Sequence, residues 1–214
     1  MSSLRSFTLT AVLALAPAAA EARIPVPNPP VWDNGPADTA FYAPLHEVYA
    51  DNFTLTSATA ISSFWINTME LEAEGWSGAL SWVVLADSLG APGGYHGSGF
   101  GTPVLSAFLG PGDGALAGYD YYLRQYSAPL LLGPGTYWLV LHNPTEALNS
   151  FWVGTTQGDG TLAVRQQEGW EQAPAELSYG IEGSAVNATP EPFSMALLGT
   201  GLAGIAAARR RRRR

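Results

Sequence analysis

His46, His96 and His142 are the side chains best suited to proton transfer or metal binding near neutral pH. They lie 50 and 46 residues apart, without the close pairs typical of zinc sites, and read as isolated groups. Ser98, in HGSGFG, has a histidine nearby but no glycine two residues to either side, so no nucleophile elbow forms. The alternating glycines of that segment are not followed by a helical pattern and make no dinucleotide fingerprint. Glu70, Glu72 and Glu74 in MELEAEGW alternate, so an extended backbone puts them on one face. Like charges at that spacing call for solvent, and a weak calcium site is the alternative. Asp113 and Asp159, each in Gly-Asp-Gly, read as turn residues. No catalytic residue, metal ligand or cofactor site is assigned. The remaining chemistry is aromatic: seven tryptophans lie between residues 32 and 170. Trp76 in EGWSG and Trp170 in EGWEQ sit among polar and glycine neighbours, where planar rings suit stacking on sugar faces.

The elements that must hold these residues are strands. From Tyr42 onward, short runs rich in β-branched and aromatic residues are bounded by Gly, Pro, Asn or Asp, and no stretch carries a 3.6-residue apolar stripe. Strands are expected near 47–56, 60–68, 78–86, 103–109, 119–127, 135–142, 150–156, 161–167 and 177–184. In GTYWLVLH both alternating faces are largely apolar, which predicts a central strand covered on both sides. DYYLRQYS, with Asp120, Arg124 and Gln125, reads as half solvated. Glycine-rich 91–103 and 110–118 are expected as the longest loops, at the ends of the fold where binding sites sit. The fold class is all-β, an antiparallel two-sheet sandwich of jelly-roll type over residues 40–186. A proline-rich extended leader is expected at 23–39.

Both ends read as processing segments. Residues 1–22 carry one cation, an apolar run from Phe7 to Leu15 and small residues up to Ala22, the pattern of a secretory signal peptide. At the other end, Phe193 to Ala208 holds 16 uncharged residues. As a helix these span roughly 24 Å, a marginal crossing of a hydrocarbon core about 30 Å thick. Arg209, Arg210, Arg211, Arg212, Arg213 and Arg214 then form a stop-transfer cluster that stays cytoplasmic. Between residues 23 and 190 there are three arginines, no lysine and 16 carboxylates, a net charge of −13. Such a body repels nucleic acid. Cysteine is absent, so the exported domain must be stable without disulfides.

Pro190, Glu191 and Pro192 stand directly ahead of the apolar run, and the three parts in this order resemble the sorting signal of PEP-CTERM proteins. The tail spans 187–214: motif 190–192, transmembrane helix 193–208 and arginine cluster 209–214. The resemblance implies export from a Gram-negative cell, transient anchoring in the inner membrane, and processing near the motif by an exosortase, a membrane-embedded cysteine peptidase or transpeptidase. It further implies a setting in which exopolysaccharide is made. DNFTLTSATAISSFWINT, LGPGTYWLVLHN and SYGIEGSA are similar to the β-rich domains that such proteins carry, and the resemblance implies no activity for them. The chain is thus expected to be a non-catalytic protein of the cell surface or of a biofilm's exopolysaccharide matrix, binding glycan through Trp76 and Trp170. A secreted polysaccharide hydrolase is the alternative.

Overall fold

A computed structural model describes residues 30–38, 42–71, 76–112, 116–144 and 149–186. The expected signal peptide, the Pro-Glu-Pro motif, the transmembrane helix and the arginine cluster lie outside these residues, as do Glu72, Glu74 and Asp113. Among the described residues no helix is long and apolar enough to cross a membrane.

Among the described residues thirteen strands form two antiparallel sheets, as the all-β expectation required. They are β1 (Trp32–Asp33), β2 (Tyr42–Pro44), β3 (Tyr49–Leu55), β4 (Thr59–Leu71), β5 (Leu80–Asp87), β6 (Pro92–Gly101) and β7 (Leu105–Pro111). Then come β8 (Tyr119–Leu132), β9 (Gly135–His142), β10 (Ser150–Val153), β11 (Leu162–Gln166), β12 (Gly169–Ala173) and β13 (Tyr179–Ala185). The first sheet is built on β4. One edge of β4 pairs with β8 along its length, from Thr59↔Leu132 to Leu71↔Tyr119. Its other edge is divided between β13, as in Ile66↔Tyr179, and β10, as in Ser150↔Glu70. β7, β1 and β2 extend this sheet beyond β8, β13 and β10. The second sheet runs β12-β11-β3-β9-β5-β6.

The side-chain period of two decides what each face buries. On β9, Tyr137, Leu139 and Leu141 enter the core between the sheets, with Phe53 of β3 and Phe64 of β4. Trp138 and Val140 point outward into a smaller cluster with Ala50 and Ala163. β9 is therefore central and apolar on both faces, as its sequence predicts. Each fully buried Leu or Phe adds about 1.5–3 kcal/mol relative to exposure, and the inner faces supply most of the apolar burial.

Four elements depart from expectation. The glycine-rich stretch taken as a loop is the edge strand β6. Its glycines make room for neighbours: a Cβ at Gly99 would lie 2.6 Å from the Trp82 ring and one at Gly97 would lie 2.4 Å from Leu130. Glycine in a strand marks such a close approach. EGWEQ, which lies outside every expected strand, holds the edge strand β12. β8 is less solvated than its charges suggest, because Arg124 points between the sheets and is only 5% exposed. Within the segment read as a leader, β1 pairs with β13 through Trp32↔Ile181, and Asn34 is buried.

Candidate functional site

Opposite residues on β3 and β9 form a ladder on the outer face of the second sheet: Ala50↔Val140, Asn52↔Trp138 and Thr54↔Thr136. At the Ala50 end the face is covered by Val48, Val83, Leu85 and Trp170. Toward Thr54 and Thr136 it opens into a concave groove of about 370 Å³. The floor is polar there, and the two threonine hydroxyls lie 2.9 Å apart.

The walls come from opposite sides of the sheet. Asp87 ends β5, and the Trp138 indole N–H donates to its Oδ1 at 2.9 Å while the Gly90 amide donates to Oδ2 at 3.1 Å. Asp159 belongs to the connection between β10 and β11, and Asn52 Nδ2 donates to its Oδ2 at 3.1 Å. The paired floor residues Asn52 and Trp138 thus each hold one wall carboxylate in place. Hydrogen bonds of this kind fix the orientation of the carboxylate. Gln172 of β12 donates to the Gly90 carbonyl and closes the rim, with Thr161 also in the lining.

A second acidic group lies beneath the Asp159 connection. Asn34 Nδ2 donates both to Glu176 Oε2 at 2.6 Å and to Asp51 Oδ2 at 3.3 Å, bringing two carboxyls to one amide. Asp51 Oδ2 also accepts from the Leu177 amide at 2.7 Å, and Glu176 Oε1 accepts from the amides of Gly160 and Thr161. Burial raises the Asp51 pKa well above the carboxylate range, and the nearby charge of Glu176 adds to this. Glu176 is raised as well, by burial first and by its contact with Asp159. Tyr179, whose hydroxyl donates to the Asn52 carbonyl, is raised by its complete burial. These groups tie the connection carrying Asp159 to the core.

Trp76 and Trp170 are not brought together. Trp170 stands on β12 two residues before Gln172, on the same outer face as the groove, with the Arg165 guanidinium 5.5 Å from its ring. Trp76 packs against the inter-sheet core at another place, with Arg124 5.3 Å from its ring. Glu70 is not solvated: Arg124 grips both its oxygens at 2.5 Å, and Thr68 donates to Oε1 at 2.6 Å. For Glu70 a buried ion pair replaces the solvated or calcium-bound state expected, while Glu72 and Glu74 lie outside the described residues. Among the described residues no three His, Cys, Asp or Glu side chains are grouped to hold a metal ion. Asp159 was legible only as a turn residue, and Asn52, Thr54, Asp87, Thr136 and Gln172 carry no local signal. Alternation on β3 and β9 is the one clue that could have joined Thr54 and Thr136.

Searches of curated proteins and of solved structures give no match to this chain. Residues 188–213 match the PEP-CTERM protein-sorting motif. That motif implies an exported protein with a transient membrane anchor and an exosortase as its processing partner. The tail resemblance read from Pro190-Glu191-Pro192, the apolar run and the arginines is therefore upheld: the chain carries a PEP-CTERM sorting motif at residues 188–213.

Proposed function

We propose that the chain is a non-catalytic protein of the cell surface or exopolysaccharide matrix, released by exosortase processing, whose β domain binds glycan in the groove over β3 and β9. The observation that carries this reading is the groove's lining, in which hydroxyls, two carboxamides and two fixed carboxylates surround an open floor. Saccharide hydroxyls are recognised by such convergent polar groups. Trp170 borders the site and offers a ring for stacking. We assign Trp76 the supporting role of packing on Arg124.

The alternative, a polysaccharide hydrolase, needs a protonated acid within reach of the glycosidic oxygen. The carboxyls pushed toward the neutral form, Asp51 and Glu176, are buried and take no part in the groove lining. Those that face the groove are each held by hydrogen-bond donors, an arrangement suited to charged contacts. Co-sedimentation of the secreted protein with the host's purified exopolysaccharide tests the reading. Binding without release of reducing ends is expected, and Thr136→Val and Trp170→Ala should weaken it while Trp76→Ala should not do so beyond its effect on folding. Release of oligosaccharide ends would favour the hydrolase, and unchanged binding in both groove variants would remove the groove.

A further inference from the structure

We propose that the groove selects amine-bearing polysaccharide, with a sugar ammonium seated between the carboxylates of Asp87 and Asp159. This rests on the glycan-binding reading and specifies the class of sugar.

The first support is the construction of the walls. Asn52 and Trp138, opposite one another on β3 and β9, direct their N–H groups apart, one to Asp159 and one to Asp87. Two carboxylates are thereby fixed on either side of one floor. An ammonium has three donors and no acceptor, so carboxylate oxygens and the Thr54 and Thr136 hydroxyls match it. The second support is the absence of cationic groups in the lining, which contains no Arg, Lys or His. Among the described residues the arginines are Arg124, buried with Glu70, and Arg165, set against Trp170. Neither reaches into the groove lining, and the body between residues 23 and 190 carries −13. A uronate or sulfated chain would enter a field of its own sign. The third support concerns the kind of cation. The described residues hold no grouping of three metal-ligating side chains, and a calcium ion requires six to eight oxygens. Two separated carboxylates with hydroxyls between them suit an organic cation on a sugar ring better than a bare ion.

Calorimetric titration of the secreted protein with three oligosaccharides of equal length tests this: a glucosamine oligomer, its N-acetylated form, and oligogalacturonate with and without calcium. The pH is kept where the sugar amine is protonated. The glucosamine oligomer is expected to bind about tenfold more tightly than the N-acetylated one. The preference should shrink at high salt. Asp87→Asn with Asp159→Asn should abolish the preference. Glu168→Gln with Glu171→Gln, which removes as much charge from an exposed turn and edge strand outside the groove, should preserve it. If the groove variant fails to fold, the salt dependence in the unaltered protein decides. Equal or tighter binding of the N-acetylated oligomer overturns amine selection and leaves glycan binding intact. Preference for oligogalacturonate overturns it too, as does the absence of binding to every oligomer. Failure of co-sedimentation with the host polysaccharide counts separately against the glycan-binding reading.

Discussion

At the scale of single residues, Leu89 is the clearest case of local conflict. It is fully exposed at the tip joining β5 to β6, and its φ is +58° beside Gly90 at +82°. Two positive φ angles at the centre of a two-residue hairpin suit Asn-Gly, whereas a leucine is strained there by about 1 kcal/mol. Leu89→Asn should therefore raise the melting temperature by about 2–4 °C in a thermal scan. No change or a fall would show that the tip is not strained. Glu70 and Arg124 show the opposite balance. Removing one member of a buried pair strands the other's charge, so Glu70→Ala should cost about 3–5 kcal/mol in urea unfolding. Glu70→Gln, which keeps an acceptor for the guanidinium, should cost less. The burial of Glu70 was not legible, because its partner lies 54 residues away in sequence. Asp159 was hidden similarly, its donor Asn52 being 107 residues distant.

At the scale of elements, the strands from Tyr49 to Ala185 were legible wherever β-branched and aromatic residues alternate, and β9 shows why: its two faces are both apolar and both covered. β6 was not legible, since the glycines that suggest a loop serve there to admit the Trp82 ring and Leu130. The connection from β10 to β11 depends on the carboxyls below it, which gives a pH dependence of definite sign. The folded protein keeps the Asp51 proton to higher pH than the unfolded chain, whose carboxyl titrates near about 3.9. The associated stability is therefore complete below that value and is lost as pH rises through the folded-state pKa. Glu176, raised in the same direction, acts with the same sign. Asn34, Asp159 and Tyr179 are the other groups that face this pair. Urea midpoints measured from pH 4 upward should fall more steeply for the unaltered protein than for Asp51→Asn, which has no proton to lose. Parallel curves would remove Asp51 from the account.

At the scale of the whole molecule, the chain divides into an acidic β body and a tail that directs it. The tail was the most legible part because its signal is linear: a Pro-Glu-Pro triplet, an uncharged run of 16 residues and six arginines need no tertiary partner. The groove was the least legible, because Asn52, Asp87, Thr136 and Asp159 meet only when β3, β5 and β9 are side by side. In the proposed sequence of events the arginines hold the C-terminus in the cytoplasm, since moving six guanidiniums across the bilayer is very costly. That sequence presents Pro190, Glu191 and Pro192 to the exosortase at the outer face. Glu191→Ala should leave insertion intact and yield an uncleaved, membrane-held form, whereas replacing Arg209 to Arg214 with serine should lose the orientation. The most direct measurement is the intact mass of the protein recovered outside the inner membrane of the native host. The mass expected is that of a chain ending close to Pro190-Glu191-Pro192 and lacking Ala196 to Arg214. A released protein that still carries those residues would contradict processing at the motif, and with it the central claim.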